Sequence, residues 1–367
     1  MTIFFSILVF SSIVLTYGYV FSLLGNRSQF SQFFFKQFLN HESDNVAIKY
    51  PTIKLDTIPP EITVITPQNE VFSKNSILKI TVKEKNLNPV ITINNKIFQT
   101  DNTGFLIYPF EVKDGKNTFV IKAQDIFGNK KIENLELDLK ISEPKRIPIL
   151  MYHHISSKLV EGNSVAENLF GEQMDWLNTN GYNTISFSQL NDYLIYGLAL
   201  PDKPILLSFD DGYIDNYQNA FKILINKGMK GSFGVITSLV GTNAHGSRFY
   251  MSWDELREMD TEGMELVDHS MSHKYMPKIS DNELIQELLD SKRIIEELTK
   301  KRVETFVYPT GGYNNHVIEK LKEYGYRSAR ISGNYKKMSL ENIFTLPVIK
   351  VAWGTSPTEL GRLIQNI

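Results

Sequence analysis

The second half of the chain alternates short apolar runs with stretches whose apolar residues recur every three or four positions. Such runs indicate buried β-strands, and the second spacing indicates amphipathic helices. Seven strand-like runs occur, at 147–151, 184–187, 205–209, 231–235, 265–267, 305–307 and 328–331. The helical stretches lie at 170–180, 217–227, 252–262, 281–299 and 315–324. This α/β alternation predicts a parallel sheet or a (β/α) barrel over residues 146–367.

Two adjacent carboxylates, Asp210 and Asp211, follow the apolar run at 204–207 and precede Gly212. The end of a buried strand is where sheets and barrels of this class carry catalytic groups. Neighbouring carboxylates repel each other unless a cation or a shared proton relieves them, so the pair indicates a metal site or an acid/base pair. The alternative is a solvated turn, because Asp-Asp-Gly also suits a turn.

A histidine pair, His269 and His273, follows the apolar run at 264–267. A spacing of four places both imidazoles on one side of a helical turn or tight loop, which suits a divalent metal, although two surface histidines are the alternative. Because the pair also follows a strand, we expect it at the same sheet edge as the Asp pair. One Asp and two His form a three-ligand site for metal-assisted hydrolysis. We expect zinc, while cobalt, nickel or iron accept the same ligands.

A third loop, Phe-Val-Tyr-Pro-Thr-Gly-Gly-Tyr-Asn at 306–314, again follows an apolar run. Together, Ser-Phe-Asp-Asp-Gly at 208–212, His-Ser-Met-Ser-His at 269–273 and Tyr-Pro-Thr-Gly at 308–311 resemble, in order, the first three motifs of the NodB-like polysaccharide deacetylases. The resemblance covers about residues 145–365. It implies a distorted (β/α) barrel with seven strands and metal-dependent removal of N- or O-acetyl groups from glycans.

The resemblance also implies roles for four residues. Asp210 would be the general base that activates the attacking water, and Asp211, His269 and His273 would hold the metal. The opening Pro-Ile-Leu-Met-Tyr-His-His-Ile at 148–155 is similar to the exported subgroup that deacetylates poly-β-1,6-N-acetylglucosamine. This polysaccharide is therefore the first expected substrate, and peptidoglycan or a chitin-like oligomer is the second. The alternative from another class is an inactive barrel that only binds glycans at the cell surface.

The general acid is the part of the reaction that the motifs leave open. Many relatives keep a His in a C-terminal Leu-x-His motif, which is missing here, and Val307 stands where others place an Arg that orients the base. We favour His153 as the acid. His154 and a metal-binding His acting twice are alternatives, and one histidine of the 153–154 pair could instead only pack against the loop.

Aromatic side chains near the motifs are candidates for stacking on sugar rings, with burial in the core as the alternative reading of each. The candidate substrate-binding residues are Tyr213, Tyr308, Pro309, Gly311, Tyr313 and Trp353.

Residues 58–142 have a different pattern, in which short alternating runs are separated by turn residues. The runs lie at 62–65, 77–82, 90–93, 105–108, 117–122 and 135–141. The number and the close spacing of these short runs predict a small all-β, antiparallel sandwich. Its segments at 57–60, 114–117 and 123–129 resemble bacterial Ig-like domains of cell-surface proteins. We expect a spacer or docking module, with a dedicated sugar-binding site as the alternative.

The N-terminus carries an uncharged stretch at 3–24, long enough in a helix to span the ~30 Å core of a bilayer. Residues 1–25 are therefore predicted to be a transmembrane anchor or a signal segment, and 26–57 a connector. The stretch lacks a positive n-region and an A-x-A site, which favours an uncleaved anchor. We expect the catalytic domain outside the cytoplasm, at the cell surface, in the periplasm or secreted. Arg27 and Lys36 weakly oppose this orientation, because they follow the span.

Composition excludes several classes of partner and chemistry. With 39 basic and 41 acidic residues, the net charge is −2, and no basic stripe indicates nucleic-acid binding. The absence of Cys excludes disulfides, Cys-ligated zinc and thiol nucleophiles. We expect a monomer whose partners are an acetylated glycan and, through residues 1–25, a membrane.

Overall fold

The computed structural model describes residues 56–84, 89–158, 164–244, 247–333 and 338–366. The predicted membrane segment at 1–25 and almost all of the connector at 26–57 lie outside these ranges. Among the residues that are described, none of the helices has the length and apolar character needed to cross a membrane.

The chain forms two compact units that are interleaved along the sequence. Of the described residues, one unit comprises 56–63, 80–84, 89–106 and 119–135. The other comprises Val64–Lys79, Ile107–Thr118 and Glu136–Ile367, and it contains the three motifs. The domain boundaries expected at 58–142 and 146–367 remain a prediction.

The region before residue 142 is built from strands, as predicted. The strands are β1 (Glu61–Ile65), β2 (Glu70–Val71), β3 (Asn75–Lys83), β4 (Val90–Ile93), β5 (Lys96–Phe98), β6 (Phe105–Glu111), β7 (Gly115–Gln124) and β8 (Lys130–Ile141). Within the described residues they form a three-stranded sheet, in the order β1-β3-β6, and a five-stranded sheet, in the order β2-β8-β7-β4-β5.

Two details of these sheets differ from the prediction. β5 was not predicted; it pairs with β4 across Asn94 and Asn95, whose φ angles of 48° and 66° suit a two-residue hairpin turn. β2 pairs with β8 in parallel, so the module is not purely antiparallel. The strand content fits an all-β module, and the Ig-like assignment stays a prediction.

The motifs lie on a parallel sheet. The strands of the second half are β9 (Ile149–Tyr152), β10 (His154–Ser156), β11 (Ser164–Ala166), β12 (Asn183–Ile185), β13 (Pro204–Phe209), β14 (Ser232–Val235), β15 (Asn243–Ala244), β16 (Ser247–Arg248), β17 (Glu265–Asp268), β18 (Thr305–Val307), β19 (Ser328–Arg330) and β20 (Ile349–Lys350). In the described chain the main sheet has eight strands, in the order β19-β18-β17-β14-β13-β9-β20, with β12 also paired to β13. The seven predicted strands are all present, and the eighth is the two-residue β20.

The sheet is a curled half-barrel rather than a closed barrel. β12 bonds the first half of β13, with Thr184 opposite Ile205, while β14 bonds its last residues, with Phe209 opposite Phe233. Over the described residues, the terminal strands β19 and β20 do not pair with each other. β13 is buried along almost its whole length, which explains its unbroken apolar sequence, since both faces of a parallel sheet are covered.

Helices cover the sheet. They are α1 (Glu167–Thr179), α2 (Phe187–Tyr196), α3 (Lys222–Asn226), α4 (Trp253–Thr261), α5 (Asp281–Leu284), α6 (Ser291–Thr299), α7 (Asn315–Glu323) and α8 (Pro357–Gln365). Two π-helical turns, Asn216–Phe221 and Ile285–Asp290, precede α3 and α6. Short 3₁₀ turns lie at Thr237–Leu239, Met276–Lys278, Pro309–Gly311 and Leu340–Thr345.

The five predicted helices are confirmed, whereas α2 and α8 were missed. Phe187 was predicted to end a strand but begins α2. The reason is a capping box, in which the Ser186 hydroxyl and the Gln189 side chain each bind the other's backbone N–H. This local signal competes with the apolar run that precedes it.

Candidate active site

The carboxyl ends of five strands of the main sheet bring the motif residues together. Asp210 and Asp211 follow β13, His269 follows β17, Tyr308 follows β18, and His153 follows β9. The predicted convergence at one edge of the sheet is therefore confirmed. The fifth strand, β19, contributes a residue that the motifs do not contain.

That residue is Arg330, the last residue of β19. Its side chain is fully buried, and one of its Nη atoms donates to Oδ1 of Asp210, which is itself only 3% exposed. The guanidinium also donates to Oγ of Ser208, at 3.2 Å. Asp210 and Arg330 thus form a buried ion pair that water does not reach.

Arg330 supplies, from β19, the contact between an Arg and the candidate base that the resemblance led us to expect at position 307. Val307 is fully buried in β18, and its registered neighbour on β19 is Arg330. Side chains at registered positions of neighbouring strands point to the same face of a sheet. The guanidinium therefore reaches Asp210 from β19, the strand next to the one that carries Val307.

Asp211, His269 and His273 form a cluster that fits a divalent metal. Oδ1 of Asp211 lies 3.1 Å from Nε2 of His269 and 3.4 Å from Nε2 of His273, and the potential ligand atoms all lie within 4.8 Å of one another. Metal–ligand bonds of about 2.1 Å at tetrahedral or octahedral angles separate adjacent ligand atoms by about 3.0–3.4 Å. The two distances from Asp211 to the histidines match this requirement.

The orientation of His269 also fits a metal ligand. Its Nδ1 lies 2.8 Å from the carbonyl oxygen of Val307, so the ring donates its proton there. This bond turns Nε2 toward the cluster, 3.1 Å from Oδ1 of Asp211, which is the ring orientation that outer hydrogen bonds give to metal-binding histidines.

Electrostatics in the cluster favour a cation. Burial alone raises the pKa of Asp211, but the hydrogen bond from His269 and the charges of His269, His153 and His273 outweigh it and hold the pKa below its usual range. Burial lowers the pKa of His269, while its bond to Asp211 and the nearby carboxylates raise it overall. The carboxylate thus draws positive charge, which a metal ion supplies directly.

The ligands lie on unusual backbone. Asp211, Ser270 and His273 have φ angles of 72°, 68° and 61°, in the left-handed region that disfavours side chains other than glycine. Such conformations cluster at functional sites because the surrounding structure has to enforce them. The motif residues are thus held in place at a cost in backbone energy.

The structure separates the two neighbouring histidines. Nε2 of His153 lies 3.8 Å from Oδ2 of Asp210, and its side chain is 16% exposed. His154 faces away: its Nδ1 lies 2.6 Å from Asp215, and its ring stacks on Tyr213 with centroids 3.6 Å apart. His153 is therefore next to the candidate base, and His154 is the packing histidine.

The candidate substrate-binding residues fall into two groups. Tyr308 and Pro309 are buried, so they support the loop and offer no open face in this structure; Gly311 shapes the turn with φ 75°. Tyr313 and Trp353 are each 40% exposed. Tyr213 is intermediate in exposure; it packs against His154 and lies beside Asp211.

Two residues near the site were not found from the sequence. Arg330 stands in the apolar run at 328–331, where an Arg is out of place, and that signal could have identified it. Tyr250 forms an isolated antiparallel bridge with Tyr213, and its ring lies 5.5 Å from that of Tyr213. No sequence pattern marks Tyr250, because the loop that carries it has no periodicity.

Comparison with known proteins shows what this chain is similar to. Residues 198–329 match the polysaccharide deacetylase family. A putative polysaccharide deacetylase of Bacillus subtilis is 28% identical over 240 residues, which cover 65% of this chain and 83% of that protein. A poly-β-1,6-N-acetyl-D-glucosamine N-deacetylase of Staphylococcus aureus is 27% identical over 237 residues, covering 60% of this chain and 80% of the relative.

A solved structure extends the similarity to the fold. The Streptococcus pyogenes deacetylase PplD, in complex with acetate, is 28% identical, with a TM-score of 0.56 over 60% of this chain and 98% of that one. The family match at residues 198–329 includes all three motifs. The chain therefore contains a NodB-like polysaccharide deacetylase domain, homologous to poly-β-1,6-N-acetylglucosamine deacetylases, and is an enzyme that hydrolyses N-acetyl groups.

Proposed function

We propose that the protein is a metal-dependent N-deacetylase of an extracellular N-acetylglucosamine polysaccharide, from which it releases acetate. The observation that carries the proposal is that the Asp210–Arg330 pair and the Asp211–His269–His273 cluster lie side by side at one sheet edge. This is the arrangement that hydrolysis of an unreactive amide requires.

The metal would be held by Asp211, His269 and His273, and zinc is the first choice for this donor set. When bound, it supplies Lewis-acid polarisation of the acetyl carbonyl. Asp211 and His273, both with left-handed backbone, place Oδ1 and Nε2 3.4 Å apart.

Asp210 would be the general base. Arg330 binds its Oδ1, which fixes the carboxylate plane and leaves Oδ2 to take the proton from the attacking water. The neighbouring residue Asp211 serves the metal, so the two adjacent carboxylates have different tasks.

His153 would be the general acid that protonates the departing amine. Its Nε2 is on the Oδ2 side of Asp210, at 3.8 Å, and its partial exposure leaves it open to substrate. The backbone carbonyl of His153 accepts a 2.6 Å bond from Nδ2 of the buried Asn216, which fixes the segment. His154 is engaged with Asp215 and Tyr213 and is not proposed for this role.

The sugar would stack on exposed aromatic rings at the third motif. Tyr313 is 40% exposed and Tyr275, two residues after His273, is 46% exposed. The Tyr275 ring lies directly on Gly312, where a Cβ would come within 2.2 Å of it. Flat faces beside a site of this kind suit glycans, because pyranose rings present apolar surfaces. Trp353 is a further candidate.

Poly-β-1,6-N-acetylglucosamine is the proposed substrate, supported by the name of the S. aureus relative. Peptidoglycan and chitin-like oligomers are the second choice. We propose that the reaction takes place outside the cytoplasm, which the uncharged stretch at 3–24 supports. Residues 58–142 would be an Ig-like spacer or docking module.

The test is acetate release from three substrates by zinc-loaded protein: β-1,6-linked N-acetylglucosamine oligomers, chitin oligomers of equal length, and peptidoglycan fragments. We expect the fastest release from the β-1,6-linked oligomers and its loss when a chelator removes the metal. Preference for chitin or peptidoglycan would correct the substrate. No acetate from any of the three would contradict the proposal.

A further inference from the structure

The segment between the two histidine ligands is unusually strained. Ser270 and His273 both have left-handed backbone, which costs about 1–2 kcal/mol for each such residue. Contacts from outside the segment have to hold it in this shape, since four residues cannot stabilise such a turn alone.

Glu287 makes three of these contacts from one place, and the N–H groups of Thr237 and Ser238 make two more by donating to the carbonyls of Ser270 and Met271. Oε2 of Glu287 accepts the backbone N–H of Ser272 at 2.8 Å, and its Oε1 accepts the Ser272 hydroxyl. Its backbone carbonyl accepts the N–H of Met271 at 3.2 Å. The residue is 2% exposed, so these bonds do not compete with water.

The helix that carries Glu287 is deformed at this point. Residues 281–299 run through α5, the π-helical turn Ile285–Asp290 and α6. The carbonyls of Glu287 and Leu288, both in the π-helical turn, accept bonds from outside the helix, from Met271 and from the Tyr326 hydroxyl. Single π-helical turns are rare and are frequent at functional sites, because they re-aim backbone groups.

Glu287 is paired with a lysine, and a second buried carboxylate, Asp268, binds the segment as well. Nζ of Lys274 lies 3.7 Å from Oε1 of Glu287. On the other side of the segment, the buried Asp268 accepts the N–H of Ser270 at 2.8 Å and the hydroxyl of Ser291 at 2.7 Å. The strained segment is thus held between two buried carboxylates.

We propose that Glu287, placed by the π-helical turn, is a positioning residue that sets the metal affinity of the site by fixing His273. The inference rests on the proposed metal site. It assigns to Glu287 no contact with substrate or metal; its action passes through Ser272 to the neighbouring ligand.

The test compares Glu287→Ala with Glu287→Gln. We expect the alanine variant to bind Zn²⁺ or Co²⁺ about 10–100-fold more weakly, the usual effect of removing a group that orients a ligand. The glutamine variant should recover most of the affinity, because its amide oxygen accepts the Ser272 N–H and its amide nitrogen donates to the Ser272 hydroxyl. The visible spectrum of bound Co²⁺ should change in the alanine variant and not in the glutamine variant.

Glu265→Ala is the matched control. Glu265 is another buried carboxylate, but it binds the N–H groups of Phe187 and Ser188 at the start of α2. We expect this variant to lose stability and keep its metal affinity. If Glu287→Ala does not fold, Ser272→Ala removes only the hydroxyl contact and should weaken binding by a smaller factor.

The outcomes distinguish this inference from the proposed function. If the wild type and Glu287→Ala have equal metal dissociation constants, the role of Glu287 is overturned and the proposed metal site is not. If only Ser272→Ala folds, equal dissociation constants for it and the wild type have the same meaning. A wild-type protein that binds no divalent metal would overturn the proposed metal site itself.

Discussion

Replacing Arg330 by Met should destabilise the protein strongly, because it leaves a buried carboxylate without its cation. Arg330 is fully buried and Asp210 is 3% exposed, so water cannot replace the lost partner. Removing one member of a buried ion pair costs about 3–5 kcal/mol of unfolding free energy. Ser208 also loses its 3.2 Å donor, which adds to the loss.

The same reasoning predicts a strong coupling between the two sites. In the double variant Asp210→Asn, Arg330→Met neither charge remains, and replacing a whole buried pair is near neutral or even stabilising. The losses of unfolding free energy in the two single variants should therefore sum to much more than the loss in the double variant. The difference, which is the interaction energy of the pair, should be about 3 kcal/mol or more.

The assay is urea unfolding in the presence of a chelator, so that metal binding does not contribute to stability. Arg327→Met is the control, because Arg327 pairs with Glu304 and Asp192 at 20% exposure and should cost less. A loss below about 1 kcal/mol for Arg330→Met, or strict additivity in the double variant, would refute the proposed pairing.

Three further predictions follow from the site and its loops. Burial lowers the pKa of His153 below 6.5, so the unfolded chain binds this proton more readily and stability should fall as the pH drops below 6.5. In His153→Asn, the unfolding free energy should therefore depend less steeply on pH between 7.5 and 5.5. An unchanged pH dependence would contradict the burial of His153. Gly325→Ala should cost about 1 kcal/mol of stability, and Gly311→Ala should cost more. Both glycines have positive φ, but only at Gly311 would a Cβ meet Ser332, at 2.4 Å. Equal shifts in thermal unfolding temperature would show that the loop rearranges to accept the Cβ. Tyr313→Ala should raise KM for long oligomers several-fold and leave kcat within about twofold; the opposite split would remove the stacking role.

The architecture of the second half followed from the sequence because both faces of its sheet are buried. Buried parallel strands read as continuous apolar runs, and all seven of them were identifiable. β20 was not, since two residues carry no periodicity. α2 was missed because its capping box directly follows an apolar run, and the local bonds at Ser186 prevail over the strand pattern.

The site was predictable where its chemistry lies in contiguous motifs and unpredictable where it depends on register. Asp211, His269 and His273 were identifiable from their spacing in the sequence. The link between Arg330 and Asp210 joins residues 120 positions apart and exists only because β18 and β19 are aligned at Val307. The left-handed backbone of Asp211 and His273 could not be read from the sequence, because Asp and His adopt it only at a minority of positions and no pattern marks which.

The most direct test of the proposed division of labour measures metal content and acetate release together in three proteins. With β-1,6-linked N-acetylglucosamine oligomers as substrate, the wild type should bind one divalent ion and release acetate. Asp210→Asn should keep the ion and lose about 10²–10⁴-fold in kcat, whereas Asp211→Asn should lose both the ion and the activity. Asp210→Asn with near-normal turnover, or Asp211→Asn with full metal content, would contradict the assignment of base and ligand to these two adjacent carboxylates.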